Sequence, residues 1–146
     1  MSEKYSSHLT PAKGINPLCD EEPDEIVRKV ANALNRYFGS VEEHFDEDKR
    51  DEFVYTNGGI SVMIYLFERI LAGLGKNPSK KDLKTYLLPV SDYLGEISDL
   101  RSIRDRCNSE GGRDRVVQDF LKVILKETGD KEVCVGIEPL DLTKIL

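Results

Sequence analysis

The sequence predicts an all-α fold, an orthogonal bundle of about five helices around a central apolar helix at residues 60–74. Apolar residues recur at intervals of three or four along most of the chain, which is the spacing of one helix face. Proline, glycine and small polar residues stand where these segments begin or end, as they do at helix termini. We therefore divide the chain into an N-terminal tail at 1–22, a helical bundle domain at 23–129 and a C-terminal tail or docking strand at 130–146.

The composition is typical of a globular protein of the cytoplasm. The chain has 146 residues, of which 39% are hydrophobic and 33% are charged, and this length is enough for one domain with its own core. No stretch approaches the roughly 18 apolar residues that cross a bilayer, and the first residues lack the pattern of a signal peptide. The three cysteines contain no Cys-x-x-Cys pair. We expect free thiols in a reducing compartment and no membrane partner.

The net charge of −6 is unevenly distributed along the chain. From Asp20 to Glu52 there are twelve acids and five bases, a net charge of −7, and the remainder carries +1. Because phosphate repels carboxylates, the acidic segment is disfavoured as a nucleic-acid surface, whereas a basic face elsewhere stays open.

The first helix is predicted to begin at Pro23, with acids in its first turn and an apolar stripe that runs to Phe45. Gly39 lies inside this stripe and costs about 1 kcal/mol relative to alanine, so a break or bend there is one alternative. The charged run at 46–52 is predicted to be a solvated linker or a frayed helix end. The next three residues, 53–55, are β-prone.

The second and third helices have clear start and stop signals. Thr56 or Asn57 is predicted to cap the second helix, and Gly75 is predicted to end it in a left-handed conformation. Ser79 is predicted to cap the third helix. Pro89 removes one backbone hydrogen bond, so it should kink this helix or end it one residue earlier.

The remaining segments are predicted in the same way. A fourth helix is expected from about residue 98 to 107, a loop at 108–112 and a fifth helix at 113–127 that a glycine closes. Residues 132–137 are predicted to form a short C-terminal strand, and a strand needs a partner. That partner would be 53–55 or a second chain.

Two Gly-Gly pairs precede helical segments, where free backbone amides and the helix dipole favour an anion. Gly58-Gly59 lacks the spacing of a nucleotide-binding loop, and we interpret it as close helix packing or a tight turn. The second pair stands among arginines, and guanidinium groups beside a helix start suit a phosphate. The predicted nucleic-acid or phosphate-binding residues are Arg101, Arg104, Arg106, Arg113, Arg115, Gly111 and Gly112.

The alternative for these arginines is ion pairing within the chain. Asp99 would then pair with Arg106, and Asp105 with Arg101, on an exposed face.

The sequence contains no recognisable catalytic or metal-binding constellation. His8 and His44 are the two histidines, and neither has the setting of an activated nucleophile. The acids near His44 lack the glycine of a calcium loop and the second histidine of a helical zinc site. Aromatic residues on the helices, Tyr65 among them, are expected to be buried. We predict no catalytic residue, no metal and no cofactor.

Three segments carry a family resemblance: Asn35-Arg-Tyr-Phe38, Tyr55-Thr-Asn-Gly-Gly-Ile60 and Gly111-Gly112-Arg113. With them the chain resembles, over about residues 26–125, the helical C-terminal region of DGQHR-domain proteins. That prokaryotic family includes the DndB-type proteins encoded with DNA phosphorothioation systems. The chain lacks the Asp-Gly-Gln-His-Arg motif of the family's N-terminal domain, so no family residue is transferred. The resemblance implies an accessory role in DNA modification or defence, with DNA or a partner protein as the target.

Three functional hypotheses remain open at this point. The first is a non-catalytic helical interaction domain that contacts the DNA backbone through the arginines. The second is a protein-interaction or homo-oligomerisation module, motivated by the acidic first helix and by the unpaired strand in the C-terminal tail. The third is a fragment of an enzyme whose catalytic domain is missing.

Overall fold

The computed structural model of the protein describes residues 23–131. Within these residues it contains six α-helices and one π-helical turn and no β-strand, which confirms the all-α prediction. The π-helical turn is Arg50–Val54. The helices are α1 Pro23–His44, α2 Glu47–Lys49, α3 Asn57–Leu74, α4 Lys80–Gly95, α5 Leu100–Arg106 and α6 Glu110–Thr128. The predicted N-terminal tail and the predicted strand at 132–137 lie outside the described residues.

Local capping signals set most of the helix ends. Thr56 caps α3 through its hydroxyl oxygen. Ser79 caps α4 in a reciprocal arrangement, in which its hydroxyl oxygen accepts the Asp82 N–H at 3.1 Å and the Asp82 carboxylate accepts the Ser79 N–H at 3.0 Å. Helices α3 and α6 end at Gly75 and Gly129, with φ of 65° and 71°. Four predicted helix boundaries are thereby confirmed.

Two helices continue through residues that were expected to interrupt them. Helix α1 runs through Gly39 without a break, and α4 runs through Pro89 to Gly95, so an end before this proline is wrong. Val90 and Leu94, which follow the proline, are buried. Burial of these side chains outweighs the loss of one backbone hydrogen bond, since tertiary contacts supply most helix stability.

The predictions for the segment before α3 are wrong in part. Residues 47–54 are helical rather than a linker followed by a β-prone stretch. The Tyr55 N–H donates to the Arg50 carbonyl at 2.9 Å, which closes the π-helical turn. Phe53 and Val54 are fully buried. Aromatic and β-branched residues indicate burial as much as strand formation, and here the burial is helical.

Helix α3, predicted as the central helix, contributes strongly to the core. Val62, Met63 and Leu66 are fully buried. Tyr37 on α1 donates its hydroxyl to the Met63 carbonyl at 2.7 Å, which links α1 to α3. The opposite face of α3 is open, because Tyr65 is 40% exposed. Helix α3 is therefore buried on one face, whereas α6 packs against three helices, α3, α4 and α5.

Helix α4 lies between α1 and α6. In the first half of α4, the Tyr86 hydroxyl donates to the carboxylate of Asp130, just beyond the end of α6. Seven residues later, the Tyr93 ring meets the Phe120 ring, with 6.0 Å between their centroids. Since the earlier residue of α4 contacts the later part of α6, the two helices run antiparallel.

A polar cluster holds the π-helical turn against α1. Glu42 accepts hydrogen bonds from the Tyr55 hydroxyl and from the Arg50 guanidinium. The bond from Tyr55, and to a lesser degree Arg50, hold the pKa of Glu42 below its usual range. Burial and the bond to Glu42 raise the pKa of Tyr55 to about 12. The cluster therefore favours a charged Glu42 and a neutral Tyr55.

Replacing Tyr55 by phenylalanine is expected to raise the pKa of Glu42 toward its ordinary value, because the largest cause of the shift is removed. A carboxylate with a depressed folded-state pKa contributes stability above its unfolded pKa of about 4.3, and this contribution is lost as the pH falls through the folded value. Carboxyl-carbon NMR titration measures the shift. The control Tyr65→Phe removes an exposed hydroxyl from another helix and should leave Glu42 unchanged. An identical Glu42 pKa in Tyr55→Phe would contradict the cluster.

Candidate functional site

The predicted phosphate site lies at the corner where α5 meets α6. Arg101, Arg104 and Arg106 are on α5, and Arg113 and Arg115 are in the first two turns of α6. These five side chains do not share one environment. Their hydrogen bonds, ion pairs and exposure distinguish the arginines that are bonded within the chain from those that are exposed to solvent.

Arg113 has a structural contact at this corner. Its Nη1 donates to the Cys107 carbonyl at 3.0 Å, and Cys107 is the residue that follows α5. Carbonyl groups at a helix end lack intrahelical partners, so Arg113 satisfies one of them. The Nε atom of Arg113 is buried and has no hydrogen-bond partner in the described part of the chain. Arg113 thus holds α6 against the end of α5.

Arg106 and Arg104 have carboxylate neighbours. Arg106 Nη2 lies 3.3 Å from Asp119 Oδ2, so this pair connects α5 to the middle of α6. Arg104 Nε lies 3.9 Å from Asp105 Oδ1. Both pairs retain solvent exposure and therefore contribute little to stability.

The ion pairs suggested by the sequence are not found among residues 23–131. Asp99 instead caps α5, because its Oδ1 accepts the backbone N–H of Arg101 at 3.0 Å. Asp105 has Arg104 as its neighbour rather than Arg101. Arg106 therefore pairs within the chain, as this alternative predicts, but its partner is Asp119 rather than Asp99. The predicted pair of Asp105 with Arg101 is wrong.

Arg101 and Arg115 are the exposed members whose guanidinium groups make no hydrogen bond or ion pair within the described part of the chain. Arg101 lines a cleft that it shares with the carboxylates of Asp46, Asp48 and Glu52. These carboxylates disfavour a phosphate beside Arg101. Arg115 does not line this cleft, and its side chain is exposed to solvent.

In each Gly-Gly pair, the second glycine lies too close to a backbone carbonyl for a side chain. A Cβ built on Gly59 would lie 1.7 Å from the Phe53 carbonyl oxygen, and one on Gly112 would lie 1.7 Å from the Arg106 carbonyl oxygen. The backbone amides of these two glycines also donate hydrogen bonds. The Gly59 N–H donates to the Thr56 hydroxyl at 3.1 Å, and the Gly112 N–H donates to the hydroxyl of Ser109, which caps α6, at 3.0 Å. The close-packing interpretation of the first pair is confirmed. The second pair is part of the first turn of α6, so the predicted loop at 108–112 is wrong for residues 110–112.

The corner before α3, which Phe53, Thr56 and Gly59 form, also touches the corner between α5 and α6. A Cβ on Gly58 would lie 2.5 Å from the Cβ of Cys107 and 2.9 Å from its carbonyl oxygen. The same carbonyl receives the hydrogen bond from Arg113. The start of α3 therefore lies directly against the end of α5, and side chains are excluded from this junction.

A groove between α3 and α6 is a candidate site that the sequence did not indicate. Its volume is about 630 Å³. Tyr65 stands in it, 40% exposed, although burial was expected for the helical aromatics. Val117 is buried at its side, and Gly111 contributes no side chain and has open space where a Cβ would be. The remaining lining residues are polar or charged: Glu68, Arg69, Glu110, Asp114 and Gln118.

The electrostatics of this groove are predominantly negative. Glu68, Glu110 and Asp114 line it together with Arg69. Partial burial raises the pKa of Glu68, which means that its carboxylate is incompletely solvated. Identifying the neighbours of Tyr65 on α6 requires the tertiary structure, which is why the sequence did not indicate this groove.

The described residues offer little for nucleophilic or metal chemistry. Cys107 is buried, and burial raises the pKa of its thiol against the opposing charges of Arg106 and Arg113. A protonated, buried thiol is a poor nucleophile. Among residues 23–131 no group of three or more metal-ligating side chains is gathered. In the same residues no helix combines the length and apolar character needed to cross a membrane.

Comparison of the chain with protein-family models, with curated proteins and with solved structures gives no match.

Proposed function

We propose that the helical domain is a non-catalytic protein-interaction module and that its partner docks in the groove between α3 and α6. The observation that carries the proposal is the exposed ring of Tyr65 in a groove of about 630 Å³ that carboxylates surround. Exposed aromatic side chains in concave surfaces are frequent anchors of protein interfaces.

The lining of the groove defines the chemistry of the partner. Glu68, Glu110 and Asp114 favour a lysine or an arginine, since complementary charge steers and orients association. Tyr65 and the side of Val117 favour an apolar or aromatic residue next to that base. The expected ligand is therefore a peptide segment in which a basic residue adjoins an apolar one.

Selection from a random peptide library displayed on phage tests this proposal. The enriched peptides are expected to carry a basic residue next to an apolar one. Asp114→Lys is expected to weaken their binding at least about tenfold, because it reverses a charge that faces the ligand. Gly111→Ala should also weaken binding, because the added methyl group would occupy open space in the groove that the peptide is expected to fill. Fluorescence polarisation with a synthetic version of an enriched peptide measures both effects.

Each variant has a matched control. Asp105→Lys reverses an exposed charge on α5 that does not line the groove, and Gly39→Ala adds a methyl group in open space on α1. Both controls should bind the peptide as the native chain does. Enrichment of acidic peptides, or equal binding by Asp114→Lys and Asp105→Lys, would refute the groove as the docking site.

DNA binding is the second candidate, and the exposure of Arg115, which does not line the acidic cleft at Arg101, is the specific observation that favours it. Arginines without protein partners can neutralise phosphates of the DNA backbone. Three of the five predicted arginines already contact groups of this chain. This is why we place DNA after a protein partner.

Measuring the affinity for a short DNA duplex at several salt concentrations tests this candidate. Replacing Arg115 by alanine should reduce the slope of log K against log salt by about 0.9, which corresponds to one lost phosphate contact. Arg28→Ala on the acidic first helix serves as the control and should leave the slope unchanged. An unaltered affinity and slope in Arg115→Ala, or no binding by the native chain, would exclude the candidate.

A further inference from the structure

A second groove, between α4 and α6, lies apart from the proposed docking site. Its volume is about 680 Å³. The apolar side chains that line it are only half-buried, so the groove exposes an apolar floor. These side chains are Leu88, Pro89, Tyr93 and Val123.

The charges along this groove are polarised. Because α4 and α6 run antiparallel, Lys84 and Lys126 lie toward the end marked by Tyr86, where Glu127 also lines the groove. Asp92 and Glu96 line the opposite end, near Tyr93. An occupant with a negative group at the first end and a positive group at the second would complement both.

The chain leaves α6 at the basic end of this groove. Gly129 turns the backbone in a left-handed conformation. The next residue, Asp130, bonds through its carboxylate to the hydroxyl of Tyr86 on α4. Residue 131 is therefore close to α4, beside the groove, and the following residues begin from that point.

We propose that the C-terminal segment 132–146 of the same chain docks in the groove between α4 and α6. The segment begins with Glu132, which would meet Lys84 and Lys126, and has Lys144 near its end, which would meet Asp92 and Glu96. Its two other charged residues, Glu138 and Asp141, lie between these ends in the sequence. Its apolar residues suit the exposed floor: Val133, Val135, Ile137, Leu140, Leu142, Ile145 and Leu146.

The segment is long enough for this position. From Lys84 to Glu96 a helix spans about 18 Å at 1.5 Å per residue. The fifteen residues beyond residue 131 reach about 22 Å as a helix and about 50 Å when extended. Either conformation covers the groove, so the docking does not depend on which one the segment adopts.

Two further observations favour this occupant. The intrachain partner expected for a strand at 132–137 was 53–55, but Phe53 and Val54 are buried in the π-helical turn. Pro89 has no N–H to donate to the Thr85 carbonyl within α4. The carbonyl oxygen of Thr85, which lines the groove, can therefore accept a hydrogen bond from a backbone N–H of the segment.

Thiol labelling of the full chain tests the proposal. Val123→Cys, with Cys19 and Cys134 replaced by serine, places one thiol in the groove, and Cys107 is buried. The double substitution Ile137→Asp and Leu140→Asp should make this thiol react with a maleimide about tenfold faster, because charged residues weaken docking on an apolar floor. Lys122→Cys on the exposed side of the same helix should react at the same rate in both backgrounds.

Equal labelling of Val123→Cys in both backgrounds would overturn the proposal. Protection that increases with protein concentration, together with a dimer mass by light scattering, would overturn it in favour of a second copy of the chain.

Disulfide formation provides a readout that needs no charged substitution. With Cys19→Ser, native Cys134 is expected to form an intramolecular disulfide with Leu88→Cys in a glutathione buffer, and not with Lys122→Cys. Equal disulfide formation in both variants, formation in neither, or disulfides only between chains would also overturn the proposal.

Discussion

Two backbone carbonyl groups lie so close to the first turns of α3 and α6 that side chains are excluded there. The Phe53 oxygen stands over Gly59, and the Arg106 oxygen stands over Gly112. The spacing is the same at both corners, since each carbonyl precedes the capping hydroxyl residue by three positions and the glycine follows that residue by three. Each incoming segment can therefore turn sharply into the next helix. The contact of Gly58 with Cys107 joins the two corners into one junction.

The rest of the bundle depends on this junction. It sets where α3 and α6 begin, and these two helices bound the groove that contains Tyr65. Helix α6 also forms one wall of the second groove with α4. Arg113 serves the junction by satisfying the Cys107 carbonyl. An arginine that looked like a phosphate ligand in the sequence is thus part of the framework that supports both surfaces.

Features that depend on neighbouring residues in the chain were predictable from the sequence. Thr56, Ser79, Gly75 and Gly129 act as caps or stops because capping is a local interaction. Features that depend on distant residues were not. Gly112 looked like part of a loop because its steric partner, the Arg106 carbonyl, is identified only after α5 and α6 are placed.

The same reason accounts for the other differences between sequence and structure. Of the β-prone residues 53–55, Phe53 and Val54 are helical because their side chains find burial against other helices rather than a partner strand. Burial is predicted for Tyr65 because it lies on a helix at core spacing, but the structure places it in an open groove between α3 and α6. The arginines were recognised as a group, yet which of them bond within the chain depends on Asp119 and Cys107, which lie on other elements or at their ends.

The free energy of unfolding in urea tests the role of the junction most directly. Gly112→Ala is expected to lower it by about 2 kcal/mol or more, because the methyl group would displace a backbone carbonyl. Gly111→Ala, one residue earlier in the same helical turn, meets no atom within 4 Å and should change stability by less than about 1 kcal/mol, in the stabilising direction. Equal stability of the two variants would contradict the account.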